Sequence, residues 1–360
     1  MHGDREKRIF VLTFSVMLHT LFFILPFMTC LLWTVLFVLH WRKHNKAQHV
    51  LLLFSSVCTV LYGCHACYFL GEGNEVVEFI WRTCSLACYP LYYLYIVCLT
   101  TYEARTPWYH WLLLLPALVL PTIQHFVPAV EHSYTQQIAF ILLVLVVCVA
   151  GLGRLTRMEK EVFNYYADTE DKSSHRIITL LVCFVLTSCC SAVFNVIGRE
   201  TFRADLLVII PSVLFSVMLF AVFYIGDSYV FTARQMVSDE PAPAPPALDE
   251  EAELSEEQQA AFVEKLNYLM EVEQLFLTPN LKIRDVALRV GTNRTYLSNY
   301  LNQSLHLSFS DYINGQRIRY AEQLKASDPS LTVSFLTIAA GFASEQSFLR
   351  NYRKFATKPA

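Results

Sequence analysis

The most constraining feature of this chain is a series of apolar runs, each about 20 residues long, that fills its first two-thirds. Six of them lie at roughly 49–70, 79–100, 108–128, 136–155, 177–197 and 205–226. An α-helix needs about 20 apolar residues to cross the ~30 Å hydrocarbon core of a membrane. Because only 16% of all residues are charged and 54% are hydrophobic, the runs predict a transmembrane helix bundle and exclude an ordinary soluble globule.

The opening run, 9–41, is too long for one upright helix and too short for two. Pro26 lies within it and can kink a helix. We predict a single crossing at about 18–40, which makes seven crossings in all, and a double crossing within 9–41 is the alternative. A cleaved signal peptide is disfavoured, because the apolar stretch exceeds the usual length of about 7–15 residues and no small-residue cleavage site follows it.

The basic residues predict the orientation of the bundle, because short cytoplasmic loops accumulate Lys and Arg. In the predicted first, third and fifth loops the bases are Arg42, Lys43, Lys46, Arg105, Arg154, Arg157, Lys160, Lys172 and Arg176. The second loop, 71–78, has three acids and no base. This pattern predicts a multi-pass protein of the inner membrane with its C-terminus in the cytoplasm, although Arg5, Lys7, Arg8, Arg199 and Arg203 run against it.

Ionisable and polar residues near the predicted outer end are candidates for a sensor site, because burying such groups in a membrane is costly. We single out Glu78, Arg82, His125 and Asn195. Glu78 and Arg82 are spaced to pair on one helix face. The short outer loops favour a small or lipidic stimulus. The alternative is that these residues are helix ends in water or among lipid headgroups.

All eleven cysteines lie at or before Cys190. The sequence Cys64-His65-Ala66-Cys67, with Cys84 and Cys88 nearby, raises the possibility of a metal or redox site, but the spacing fits no strong zinc signature. We favour packing, because Cys behaves as a small apolar residue, and predict neither metal nor cofactor. The chain lacks the zinc-protease, P-loop and G-x-S-x-G patterns, which favours a protein without enzymatic activity.

The charge divides the rest of the chain into a connector and a tail. Residues 235–280 hold one base and eleven acids, a net charge of 1 − 11 = −10, whereas residues 281–360 hold eleven bases and five acids, 11 − 5 = +6. The stretch 241–246 is rich in proline and predicts an extended spacer. We therefore predict a bundle at 1–234, a linker at 235–258 and a separate domain at 259–360.

The tail contains two candidate helix-turn-helix units about fifty residues apart. Such a unit needs a small residue where its helices touch, here Ala287, and a residue that tolerates positive φ in the turn, here Gly291. The second unit centres on Gly341, and the stretch 309–325 reads as one long helix between the two. In the second helix of the first unit, the side chains suited to base edges and phosphates are Asn293, Arg294, Thr295, Tyr296 and Asn299.

Over about residues 260–358 the chain resembles the AraC family of transcription activators. The likeness is carried by Asp285-Val286-Ala287, Gly291, Tyr296-Leu297-Ser298, Phe309-Ser310-Asp311-Tyr312-Ile313-Asn314, Arg317-Ile318, Ala321, and Gly341-Phe342-Ala343-Ser344 with Ser347-Phe348. It departs from the family at Thr337, where a small alanine is expected, and the sequence ends before the family's closing Gly-x-x-Pro turn and helix.

The resemblance implies an all-α fold and specific binding to promoter DNA through the second helix of each unit. In the second unit these residues are Ser344, Glu345, Gln346, Ser347, Arg350, Arg353 and Lys354. It also implies contact with RNA polymerase, and a homodimer is a further expectation. The whole architecture is similar to the membrane-anchored AraC-type regulators of Bacteroidota.

Two functions remain open at this stage. In the first, the bundle senses a stimulus and the tail binds DNA, either while tethered or after proteolytic release at the proline linker. In the second, the protein is a transporter or receptor whose tail binds another protein. The bases on the second helices favour the first function; they are Arg294, Arg350, Arg353 and Lys354.

Overall fold

The computed structural model describes residues 24–71, 73–102, 107–127, 135–170, 172–173, 175–179, 181–183, 185–186, 205–229, 231–238 and 256–356. Within these ranges the chain forms helices joined by turns, and the extended pairing found there is an isolated antiparallel bridge between Tyr166 and Lys282. The predicted all-α fold is confirmed.

The chain divides into two compact units. Unit 1 contains residues 1–156 and 174–235, and unit 2 contains residues 157–173 and 236–360. Residues 157–173 fall within the predicted bundle at 1–234, but the structure groups them with the C-terminal region. We call residues 157–173 the inserted segment and residues 256–356 the tail. The part 239–255 of the predicted linker lies outside the described residues.

Unit 1 is built from long apolar helices. They are α1 (Ile24–Leu39), α2 (Lys46–Phe69), α3 (Glu75–Thr100), α4 (Leu115–Phe126), α5 (Thr135–Tyr165, of which 157–165 belong to unit 2) and α6 (Asp205–Ser228), and they are followed by the short α7 (Ala233–Ser238, of which 236–238 belong to unit 2). A 3-10 helix, Trp108–Leu114, leads into α4. Residues 175–179, 181–183 and 185–186 are also helical, and the rest of the predicted run at 177–197 lies outside the described residues.

Local capping explains where two of these helices begin. Asn45 accepts a hydrogen bond from the backbone N of Gln48, and the Gln48 side chain accepts one from the backbone N of Asn45, so α2 starts with a capping box. Asn74 caps α3 by accepting from the backbone N of Val77. Both caps satisfy donors that the first turn of a helix leaves without partners.

Four stretches of the described chain are long and apolar enough to cross a membrane: α2, α3, Ile138–Tyr165 within α5, and Ser212–Met236. Of these, α3 is the most buried. The other helices expose large apolar side chains, such as Leu39 and Val149, each 72% exposed, and Phe126, 75% exposed. Faces of this kind are rare on soluble monomers and common where lipid or a partner covers them.

Two polar contacts link segments within unit 1 that are distant in the sequence. At the start of α2, His44 Nε2 lies 3.0 Å from Asp227 Oδ1 near the end of α6. Arg154 Nη2 of α5 lies 3.1 Å from His110 Nε2, just before α4. All four residues lie in or next to loops that the distribution of bases predicts to be cytoplasmic, and Arg154 itself lies inside α5.

Unit 2 contains the tail, whose helices are shorter. They are α8 (Glu256–Glu271), α9 (Ile283–Val290), α10 (Arg294–Asn299), α11 (Phe309–Ser327), α12 (Val333–Ala339) and α13 (Glu345–Phe355), with a 3-10 turn at Leu275–Leu277 and a π turn at Tyr300–Ser304. The helix predicted at 309–325 is α11. One apolar core joins α11 to the last two helices and contains Ile318, Ala321, Leu336, Ala340, Phe342 and Phe348.

Candidate nucleic-acid interface

The first helix-turn-helix unit is formed by α9 and α10, and its turn depends on Gly291. Gly291 has φ +88°, a left-handed conformation that side chains other than glycine rarely adopt. Its backbone N donates to Ala287 O at 2.9 Å and so ends α9. Ala287 is 1% exposed at the position where the sequence predicted a small residue.

The second unit is formed by α12 and α13, and its turn at Gly341 is more constrained. Gly341 has φ +77°, and a Cβ atom at this position would lie 2.3 Å from the backbone oxygen of Leu277. Thr337, the departure from the family pattern, is buried, and its hydroxyl donates to Val333 O at 2.8 Å. The threonine is therefore satisfied within its own helix.

In α10, the predicted DNA-binding residues divide into two groups. Asn293 is the N-cap, and its Oδ1 accepts from the backbone N of Tyr296 at 2.7 Å. The Tyr296 ring packs edge-to-face on Phe262 of α8, with centroids 4.9 Å apart, so both residues hold the helix in place. The exposed positions are Arg294, Thr295 and Asn299.

In α13, Ser344 is the N-cap and its Oγ accepts from the backbone N of Ser347 at 3.1 Å. Ser347 is only 3% exposed. Its place among the DNA-binding candidates followed from its position in the helix alone, and its burial argues against it. The exposed candidates in this helix are Glu345, Gln346, Arg350, Arg353 and Lys354. Of these, Lys354 Nζ lies 2.5 Å from Asp311 Oδ1 of α11.

The candidate sensor residues lie in unit 1. Arg82 Nη2 donates to Glu78 Oε1 at 2.8 Å, as their spacing predicted. The ring of His125 packs edge-to-face against Phe79, next to Glu78 in sequence, at a centroid distance of 5.8 Å. Glu78 and Arg82 therefore form a pair, and His125 contacts the residue that follows Glu78. Asn195 lies outside the described residues.

Two buried cysteines lie close together in unit 1. Cys58 Sγ and Cys88 Sγ are 3.7 Å apart between α2 and α3. In the part of the chain that the structure describes, no group of three or more His, Cys, Asp and Glu residues is arranged to hold a metal ion.

Comparison with known families now bears on this geometry. Residues 286–359 match the family model described as a helix-turn-helix domain, a range that takes in both turns and both exposed second helices. These residues are an AraC-type helix-turn-helix domain. Neither the curated proteins nor the solved structures gave a match to the chain.

Residues of the inserted segment also contact the AraC-type domain, and they are not among the residues predicted from the sequence. The Arg294 guanidinium lies 5.6 Å from the centre of the Tyr165 ring. Ser344 Oγ donates to Glu170 Oε2 at 2.5 Å. Because these contacts join residues more than a hundred positions apart, no local sequence pattern could have predicted them.

Proposed function

We propose that the protein is a membrane-embedded one-component transcription regulator, in which unit 1 senses a stimulus and the AraC-type domain binds promoter DNA. The observation that carries the proposal is the occurrence, in one chain, of an AraC-type domain and several helices apolar enough to cross a membrane. The proposal assigns no reaction to the chain.

The charge of the tail supports DNA binding. Residues 281–360 carry a net charge of 11 − 5 = +6, and DNA phosphates attract basic surfaces without regard to sequence. Arg294, Arg350 and Arg353 are exposed on the two second helices. Arg is well suited to phosphate contacts and to bidentate contacts with guanine.

The helix that connects the two helix-turn-helix units, α11, also has a length that suits DNA binding. The 19 residues of α11 span about 28 Å at 1.5 Å per residue. Successive major-groove faces are about 34 Å apart. A helix of this length is a suitable rigid spacer for two second helices that enter neighbouring grooves.

The expected location is the inner membrane, with the tail in the cytoplasm. This orientation is supported by the predicted loops, by the two polar contacts between residues of one predicted side, and by the need of a DNA-binding domain to reach DNA. Glu78, Arg82 and His125 are the candidate sensor residues, and a small or lipidic stimulus suits the short outer loops. Membrane lipid, RNA polymerase and a second copy of the chain are the other proposed partners.

The test uses the full-length protein in lipid nanodiscs and double-stranded DNA selected by it from a random-sequence library. Arg350→Ala should weaken binding to the selected DNA by about 1–3 kcal/mol, which is about fivefold to 150-fold, because one base or phosphate contact is lost. Arg289→Ala is the matched control, because Arg289 is an exposed base of α9 whose Nη1 lies 3.6 Å from Glu273 Oε2.

Enrichment of a defined sequence, with loss of binding in Arg350→Ala and little change in Arg289→Ala, supports the proposal. If the selection enriches no sequence, the DNA-binding function is contradicted and the tail is better explained as a protein-interaction module of a transporter or receptor.

A further inference from the structure

The inserted segment is anchored in the tail by its buried residue Ala167. The Ala167 carbonyl accepts hydrogen bonds from Ser310 Oγ and Asn314 Nδ2 of α11, each at 2.9 Å. The Ala167 backbone N donates to Leu281 O at 3.0 Å. The tail therefore provides hydrogen-bond partners for both the backbone N–H and the backbone carbonyl of this fully buried residue, so the segment binds the tail at a specific position.

A buried ion pair completes the anchor. Arg317 of α11 is 0% exposed, and its Nη1 donates to Asp168 Oδ1 at 2.9 Å. The Nε and Nη2 atoms of Arg317 donate to the backbone oxygens of Phe276 and Thr278. Burial lowers the pKa of Arg317, and the charge of Asp168 opposes this shift. Without Asp168 the tail would hold a buried positive charge with weaker compensation.

The second carboxylate oxygen of Asp168 binds the loop that precedes the first helix-turn-helix unit. Its Oδ2 accepts from the backbone N of Asn280 at 3.0 Å. One carboxylate therefore links α11, which separates the two units, to the chain that enters α9. The docked segment therefore contacts α11 and the chain before α9, which are the parts of the tail that position the two helix-turn-helix units.

The same segment also occupies residues that we propose for DNA binding. The Glu170 carboxylate accepts a hydrogen bond from the hydroxyl of Ser344, the N-cap of α13, and the Tyr165 ring lies under the guanidinium of Arg294 at the start of α10. Backbone N–H groups at the start of a helix and arginine side chains are typical contacts for DNA phosphates. A carboxylate at Ser344 would repel a phosphate that approaches the same place.

The segment carries the charge expected of a competitor for DNA. Residues 157–173 contain three bases and five acids, a net charge of 3 − 5 = −2. They are also continuous with a long apolar helix, because α5 has 31 residues, about 46 Å. A membrane core is only ~30 Å thick, so α5 is long enough to extend beyond it with its polar end.

We propose that the inserted segment is an autoinhibitory element that competes with DNA for the AraC-type domain and is released when α5 moves. The proposal rests on the proposed DNA-binding function and describes how DNA binding by the tail is regulated. In the docked state, Asp168 and Ala167 hold the segment in place, while Glu170 and Tyr165 occupy Ser344 and Arg294. In the released state both residues are available to phosphates.

Competition of this kind is reciprocal. If docking weakens DNA binding by some factor, bound DNA must weaken docking by the same factor. Such couplings usually amount to about 5- to 150-fold, so we expect about tenfold from the loss of one contact. The reciprocity supplies two measurements, one of DNA affinity and one of the docked segment itself.

The first measurement compares Glu170→Ala with Glu159→Ala in the full-length protein in nanodiscs, with the DNA selected above. Glu159 is the matched control, since it removes one carboxylate from the same segment, and its Oε1 accepts from Ser173 Oγ within that segment at 2.6 Å. We expect Glu170→Ala to bind DNA about tenfold more tightly than the wild type, and Glu159→Ala to bind like the wild type.

The second measurement follows hydrogen exchange of the backbone amide of Ala167 in the wild-type protein. Its hydrogen bond to Leu281 O should protect it in the absence of DNA, and saturating DNA should raise its exchange rate by about tenfold. This measurement needs no substitution, so it does not depend on whether a variant folds.

The outcomes separate the two proposals. If the protein binds DNA but Glu170→Ala binds no more tightly than Glu159→Ala, or if DNA leaves the exchange of Ala167 unchanged, autoinhibition by this segment is overturned and the DNA-binding function stands. If neither the wild type nor Glu170→Ala binds DNA, the proposed function is overturned and the inference fails with it.

Discussion

The two helix-turn-helix units share one design but differ in how tightly their turns are held. Gly291 and Gly341 both have positive φ. A Cβ atom at Gly291 would meet only the flexible end of Lys265, at 3.7 Å, whereas at Gly341 it would overlap the backbone of Leu277. The first turn therefore needs glycine for its conformation alone, and the second needs it for conformation and space.

The second helices differ in a related way. The first, α10, has six residues and continues into a π turn, whereas α13 has eleven residues and packs its Phe348 into the core. The inserted segment contacts α10 through an aromatic ring and α13 through a carboxylate. Both second helices therefore contact the inserted segment, α10 near its first residue and α13 at its N-cap.

The largest effect should come from Gly341→Ala. The left-handed conformation costs about 1–2 kcal/mol for a residue with a Cβ atom, and overpacking against the Leu277 backbone adds about 1–3 kcal/mol. We expect the tail to lose about 2–5 kcal/mol of stability, measured on the full-length protein by pulse proteolysis of the tail in urea. A loss of stability below about 1 kcal/mol would contradict this prediction, because it would show that the backbone near Leu277 moves to accommodate the methyl group at little cost in free energy.

Gly291→Ala should have a smaller effect. Since space is available for the added methyl group, only the conformational cost of about 1–2 kcal/mol remains. The same proteolysis measurement should place it clearly below Gly341→Ala. Equal losses for the two substitutions would remove the distinction between the turns.

Thr337→Ala should have the smallest effect. The hydroxyl bonds within its own helix, and the higher helix propensity of alanine, worth about 0.5 kcal/mol, offsets part of the lost packing. We expect a change within about 1 kcal/mol in either direction by the same method. A larger loss would mean that the threonine methyl group or hydroxyl supports the second unit.

The sequence was sufficient for features that depend on neighbours in the chain. Gly291 and Ala287 could be placed because a tight turn restricts φ and space within a few residues. The apolar run 136–155 was correctly identified as helical, but α5 continues to Tyr165, because hydropathy marks the apolar part of a helix and not its end. Polar residues 156–165 keep the helical hydrogen bonds without contributing to the hydropathy signal.

Long-range contacts could not be predicted in the same way. Arg317 entered only through the family resemblance, and its partner Asp168 lies 149 positions away. A single aspartate in a loop gives no signal of which arginine it will meet, since the pairing depends on the folded positions of Ala167 and α11. The burial of Ser347 was also missed, because one helix turn contains both outward and inward positions.

The most direct test of a membrane-embedded regulator is immunoprecipitation of cross-linked DNA from the membrane fraction of cells that express the full-length protein. We predict discrete genomic sites that are recovered with the wild type and lost in Arg350→Ala, while the protein stays in the membrane fraction. Recovery of no specific DNA, or of DNA only with a soluble fragment cleaved from the bundle, would contradict regulation by the tethered protein.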